Sequence, residues 1–177
     1  MLSFTATERI FCTNYHIGEI FMEDIIKTIK STYLFEKWER RKLKKSDMYF
    51  PAMLKLPNRE GFVIERSVAP VKIMGSYETT WKDAGNGNSR FRVEVIPFGS
   101  MEEADEYIIS KLCYVSVMLP RIDKGDNEDR IIFGISDSIL VGRERNVYWC
   151  IQNLCAEKAD LARFQSGLFR AITGQKG

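Results

Sequence analysis

The sequence contains one histidine, His16, and four cysteines in 177 residues. Zinc sites built from two or three histidines are therefore excluded within one chain. Residues 134–138 begin like a nucleophile elbow, but Ser138 replaces the second glycine and no histidine follows, which excludes the hydrolase pattern. Cys150 and Cys155 have no second cysteine pair at zinc-finger spacing. We therefore expect no metal site and four reduced thiols.

Glycine-rich phosphate loops and long apolar runs are also missing. Nothing matches G-x-x-x-x-G-K-[ST] or G-x-G-x-x-G, which disfavours P-loop hydrolysis and dinucleotide chemistry, and we expect no cofactor. The longest apolar run falls far short of the ~18 residues of a membrane span. Glu8 and Arg9 interrupt the opening segment, so we expect no signal peptide. With reduced thiols, this predicts a cytoplasmic protein without a membrane span.

Charge of one sign is not in excess. The 26 basic and 24 acidic residues give a net charge of +2, which exerts no overall attraction on nucleic acid or anionic lipid. The hydrophobic fraction of 45% is that of a globular protein. The length suits one domain over residues 1–177. Within it we expect a mainly helical N-terminal segment, 1–60, and a core of sheet and helices, 61–177.

Three segments have apolar residues at helical spacing. The middle one is the clearest, because Ser100 and Glu103 form a capping box at its start. We expect its stripe to pack on the preceding strand at Phe91, Val93 and Val95. The three stripes are Met22, Ile25, Ile26, Ile29 and Tyr33; then Met101, Ala104, Ile108 and Leu112; and finally Leu161, Phe164, Leu168 and Ile172.

Apolar residues recur at every second position in four segments, near 62–68, 77–81, 91–95 and 115–119. Residues 85–88 (Gly-Asn-Gly-Asn) predict a hairpin. We interpret 142–146 as a polar turn joining the last two strands. The strand-like segments lie near 62–68, 77–81, 91–95, 115–119, 131–135, 139–141 and 147–151. Short turns between strands favour antiparallel pairing. The predicted fold is α+β and two-layer: a mostly antiparallel sheet of about five to seven strands with helices packed on one face.

The basic cluster in residues 37–45 is the one segment with a positive functional interpretation. Its cations could neutralise phosphates, and its tryptophan could stack on a base. The alternative is a solvated charged surface, which such clusters more often are. The candidate nucleic-acid or phosphate-binding residues are Lys37, Trp38, Arg40, Arg41, Lys42, Lys44 and Lys45.

Three functions remain open at this point. The leading hypothesis is a non-catalytic binding or protein-interaction domain with a protein partner, whose contact surface is the sheet or a groove at its edge. The second is a nucleic-acid or phosphate-binding protein that uses residues 37–45. The third is a carboxylate-dependent enzyme with scattered site residues, because carboxylates can meet from anywhere in a fold. No catalytic residue can be assigned from the sequence.

Overall fold

The structure, a computed structural model, describes residues 23–24, 26–28, 30–31, 42–48, 61–68, 77–85, 87–114, 119–123, 128–135 and 137–173. Of the predicted N-terminal stripe, only Ile26 falls in these ranges; it lies in a helical stretch and is partly buried. The strand expected at 115–119 lies outside the described residues except for Leu119, which is buried.

Among the described residues, six strands form one antiparallel sheet. They are β1 (Phe62–Val68), β2 (Tyr77–Asp83), β3 (Arg90–Pro97), β4 (Arg130–Ile135), β5 (Ile139–Glu144) and β6 (Val147–Asn153). Their order across the sheet is β1-β2-β3-β6-β5-β4. Two helices, α1 (Met101–Tyr114) and α2 (Leu161–Thr173), follow β3 and β6, and a short 3-10 helix covers Lys45–Asp47. The α+β class and the mostly antiparallel sheet are confirmed.

The capping box at the start of α1 forms as the sequence indicates. The amide of Glu103 donates to the Ser100 hydroxyl oxygen at 3.1 Å. The Glu103 carboxylate in turn accepts from the amide of Gly99 at 2.8 Å, one residue earlier than a standard box. These contacts satisfy two amides that have no partner within the helix.

The two helices cover opposite faces of the sheet. On one face, Phe164 of α2 has its ring centroid 5.4 Å from that of Phe62, 5.0 Å from Trp81 and 4.8 Å from Phe91. On the other face, the Tyr107 ring of α1 meets Tyr148 at 4.7 Å. Successive residues of a strand point to opposite faces, so the layers are helix, sheet and helix.

This arrangement corrects the expectation of helices on one face and of the partner of α1. Residues Met101, Ala104, Ile108 and Leu112 are buried as predicted. However, Ile108 and Leu112 pack with Ile96 and Tyr148, while Phe91, Val93 and Val95 pack with α2. The physical reason lies in β4 to β6, where apolar residues follow one another without alternation. Such strands are buried on both faces and need a helix on each.

The segment 142–146 is not a polar turn. Strand β5 continues through Glu144, and only Arg145 and Asn146 connect it to β6. Arg145 has a φ of 52°, in the left-handed region. Arg143 and Glu144 are buried within the sheet because each has an ionic partner. Polar side chains in a sequence suggest solvent exposure, whereas ion pairing allows these two inside the protein.

Candidate functional site

One half of the sheet presents charged side chains on the face to which α1 belongs. Helix α1 packs on β5 and β6. On β2 and β3 the same face carries Glu78, Thr80 and Lys82 beside Arg90, Arg92 and Glu94, and Arg66 of β1 lies opposite Thr80. Arg66, Arg90 and Arg92 are exposed and the others partly so. We call these seven residues the charged face.

The register of β2 and β3 places like charges directly opposite each other. Lys82 pairs with Arg90, and Glu78 pairs with Glu94, with Thr80 and Arg92 between them. Directly opposite side chains are the closest neighbours on a sheet, and like charges there are destabilising. The charged face is therefore segregated into a basic end and an acidic end along the strands.

Each like-charge pair has one member with an ionic partner. The Nε of Arg90 donates to both carboxylate oxygens of Glu65 at 3.0 and 2.8 Å. This hydrogen bond lowers the pKa of Glu65, and the charges of Arg90 and Lys82 act in the same direction. At the acidic end, the Lys111 Nζ lies 3.3 Å from a Glu94 oxygen. The register thus places Lys82 beside the Arg90–Glu65 ion pair and Glu78 beside the Glu94–Lys111 ion pair.

A partly buried polar cluster adjoins the acidic end, between α1 and β6. The Tyr148 hydroxyl donates to Glu94 at 3.4 Å, and the Lys111 ammonium lies 5.2 Å from the Tyr107 ring centroid. Burial raises the pKa of Tyr107, and the Glu94 charge raises it further. A tyrosine acting as a base would need a lowered pKa, so Tyr107 does not fit that role.

Cys150 lies directly opposite Glu94 on this face. Burial, followed by the negative charge of Glu94, raises the pKa of its thiol from 9.0 to about 11. The thiol is therefore protonated near neutral pH and is a poor nucleophile. Cys113, Cys150 and Cys155 are free cysteines, while Cys12 lies outside the described residues.

The deepest ionic interaction of the described chain joins α1 to β5. Arg143 donates from Nε to Oδ1 of Asp105 at 2.6 Å, with side-chain exposures of 0% and 1%. Its remaining nitrogens donate to the backbone oxygens of Glu128, Asp129 and Arg145 at 3.1 to 3.3 Å. The guanidinium holds a helix, a loop and a hairpin together, which is a structural task.

Sequence reasoning missed the Asp105–Arg143 pair. If only Arg145 and Asn146 are taken as the connection, the alternation of strand residues continues through Arg143. The side chain of Arg143 is then expected on the face that α1 covers. Asp105 gives no such signal, because acids in the first turns of a helix are also explained by its dipole.

Among the described residues, Glu144 is a buried carboxylate whose pKa is raised. Burial raises it, against the hydrogen bond and charge of Arg130, whose Nε lies 2.6 Å from Glu144 Oε2. A carboxylate-dependent enzyme would bring such a group into a cleft. A pocket of 410 Å³ does occur, but it is lined by residues 42–43, Met48 and residues 99–102, so Glu144 is not among its walls.

The basic cluster is described only in part. Lys37, Trp38, Arg40 and Arg41 lie outside the described residues. Lys42, Lys44 and Lys45 are exposed, and Lys42 lines the 410 Å³ pocket opposite the start of α1. Glu102 lines the same pocket, which therefore carries charges of both signs. The structure does not bring these lysines onto the charged face of the sheet.

Two properties hold for the described part of the chain. No group of three or more histidine, cysteine, aspartate or glutamate side chains there could hold a metal ion. No helix there is long and apolar enough to cross a membrane.

Comparisons of the chain with models of protein families, with curated proteins and with solved structures find no match.

Proposed function

We propose that this chain is a non-catalytic protein-binding domain and that the charged face is its contact surface. The observation that carries this proposal is the pair of like-charge juxtapositions, Lys82 with Arg90 and Glu78 with Glu94. Like charges directly opposite each other are destabilising, and the partners Glu65 and Lys111 offset part of that cost. Local conflicts of this kind are expected where a surface serves function rather than folding.

The rest of the face fits the same role. Interfaces have a charged and polar rim that sets specificity and orientation. Three of the seven residues are arginines, a residue enriched at interfaces because its planar guanidinium binds carboxylates in two-point contacts. A strand scaffold also holds these side chains at fixed spacings, so little order is lost on binding.

The experiment places a photo-crosslinking amino acid at Thr80, in the centre of the charged face. The full chain that carries it is produced in cells of its source. The matched control carries the same group at Ala162, an exposed position on α2 at the other face of the sheet. We expect an adduct of defined mass from position 80 that is absent from position 162. The adduct identifies the partner for purification.

Binding of the purified partner then decides the proposal. Thr80→Trp places a bulky group on the face and should weaken binding, whereas Ala162→Trp should leave it unchanged. Tryptophan is well tolerated in strands, so folding should be retained and can be checked by circular dichroism. A partner that binds Thr80→Trp as tightly as the unchanged chain contradicts the proposal, as does equal crosslinking at both positions.

A second function rests on the exposure of Lys42, Lys44 and Lys45. We propose it as the alternative: binding of nucleic acid or phosphate through residues 37–45. Exposed lysines can contact phosphates without a preformed cavity. Fluorescence titration with a labelled single-stranded oligonucleotide tests this function.

We also propose that the protein works in the cytoplasm. The free thiols of Cys113, Cys150 and Cys155 support this, because oxidising compartments favour disulfides. A thiol titration of the protein, isolated from its source without reductant, should find every cysteine reduced. A disulfide involving any of them contradicts the proposal.

A further inference from the structure

We infer that the basic end of the charged face binds an acidic polypeptide segment, with its carboxylates against Arg66, Lys82 and Arg92. This inference rests on the proposed function and specifies the chemistry of the partner. It starts from the cations of three adjacent strands, which lie at neighbouring positions: Lys82 beside Arg90, and Arg66 and Arg92 on either side of Thr80.

Only part of this positive charge is balanced by neighbouring carboxylates. Glu65 binds Arg90 through both oxygens and also interacts with Lys82. Arg92 donates from Nη2 to the amide oxygen of Gln152 at 2.9 Å, a neutral acceptor that leaves its charge available. Among the described residues, one carboxylate, that of Glu65, lies with four cations at this end, so further carboxylates would be attracted to it.

The face favours a polypeptide over single-stranded nucleic acid for two reasons. Sheets that bind single strands present aromatic side chains on which bases stack. Here the aromatic residues Trp81 and Phe91 of the same strands point to the opposite face and are fully buried. The second reason is the acidic end at Glu78 and Glu94, which would repel a uniformly charged phosphate backbone lying along the strands.

The spacing defines what the segment must offer. Side chains on one face of a strand recur about every 6.8 Å, and neighbouring strands lie about 4.8 Å apart. An extended segment that lies along β2 with acidic residues at every second position has the same repeat. One carboxylate can then meet Lys82, and the next can meet Arg66 and Arg92, which flank the neighbouring position on β2. A basic residue further along would complement Glu78. The inferred partner therefore has a patterned charge and not a uniform one.

The experiment titrates the full isotope-labelled chain with two probes and follows its backbone amides by nuclear magnetic resonance. One probe is a peptide of eight residues in which Glu alternates with Thr and the last Glu is replaced by Lys, and the other is a dT8 oligonucleotide of similar charge spacing. We expect the peptide to shift amides of β1 to β3, with binding that weakens as sodium chloride is raised. The dT8 probe should bind the same amides more weakly.

Variants connect the shifts to the cations. Lys82→Gln with Arg92→Gln should weaken peptide binding roughly tenfold, since each exposed ion pair contributes up to ~1 kcal/mol. Lys158→Gln, an exposed lysine before α2, is the matched control and should have no effect. Unchanged peptide affinity in the double variant overturns the inference. Stronger binding of dT8 than of the peptide at these amides overturns it in favour of a nucleic acid.

Other occupants of the face give distinct results. Contacts between residues 1–22 and Thr80 in the free chain would assign the face to this chain's own segment and overturn the inference. Concentration-dependent shifts without a probe would assign it to a second copy and also overturn it. If Thr80→Trp blocks the crosslinked partner while the double charge variant does not, the inference fails and the proposed function stands. If neither change affects the partner, both fail.

Discussion

The guanidinium of Arg143 and the carboxylate of Asp105 form an ion pair of 2.6 Å from which water is almost entirely excluded. It joins the helix that follows β3 to the hairpin of β5 and β6, two parts of the chain 38 residues apart. Taking both groups out of water is costly, so the pair depends on the backbone oxygens that accept from the rest of the guanidinium.

Asp105→Ala should destabilise the protein by about 3–5 kcal/mol, because it leaves a buried cation without its partner. Urea denaturation measures the change. The matched control is Glu106→Ala, the exposed neighbour on the same helix, which should stay within about 0.5 kcal/mol. Adding Arg143→Met to Asp105→Ala should recover stability, since it removes the unpaired charge. A double variant less stable than Asp105→Ala alone would contradict this account.

Leu112→Ala should cost about 2–5 kcal/mol, the usual loss for a large-to-small change in a packed core. Leu112 is 5% exposed and packs in the core between α1 and β4 to β6. Thermal or chemical denaturation measures the loss. Glu102→Ala, on the exposed side of the helix, serves as the control. A loss below about 1 kcal/mol for Leu112→Ala would show that this core is loosely packed.

The elements of the fold could be predicted from the sequence more fully than their arrangement. The helix at Met101–Tyr114 follows from its cap and stripe, and the β2–β3 hairpin follows from the Gly-Asn repeat, because both signals are local. The apolar runs of β4 to β6 indicate a sheet that is buried on both faces, but the face on which α1 packs depends on how β3 meets β6, a contact between distant segments. The seven residues of the charged face could not be predicted from the sequence either, because they lie on three strands and only the register of those strands brings them together.

Cys150 should react with a thiol reagent about tenfold more slowly at pH 8 than a thiol of pKa 9.0, because its own pKa is about 11 and the smaller amount of thiolate outweighs its greater nucleophilicity. The rate should rise with pH toward that value. Mass spectrometry after timed alkylation separates Cys150 from the other cysteines. The ionisation of Cys150 is also linked to folding. The free energy of unfolding should fall as the pH rises above 9.0, because the Cys150 thiol ionises there in the unfolded chain but not in the folded protein.

The slow reaction should disappear in urea, which exposes the thiol and is the control for intrinsic reactivity. Fast labelling of Cys150 in the native protein at pH 8 would show that its site opens to solvent. We also expect Cys155 to label slowly, although it is only partly buried and lies beyond β6.

The basic segment should bind no polyanion measurably near physiological salt, as expected of a solvated charged surface. Fluorescence titration with a labelled single-stranded oligonucleotide tests this. If binding does occur, Lys44→Gln with Lys45→Gln should weaken it and lower the slope of log K against log salt by about 0.7–0.9 for each phosphate that is no longer neutralised. Lys158→Gln is the control, and stability should hardly change in either variant. Salt-dependent binding that these lysines control would establish the alternative function.

The strand order has a consequence for the time course of folding. Strands β1 to β3 pair with their neighbours along the chain, as do β4 to β6, so each three-stranded half closes only short loops. The halves join through β3 and β6, where Phe91 meets Asn153 and Pro97 meets Val147. Pairing of distant strands pays the entropy of a long loop before any contact compensates it, and it slows folding. The seam between the halves should therefore form last in refolding and gain amide protection after the hairpins on either side of it.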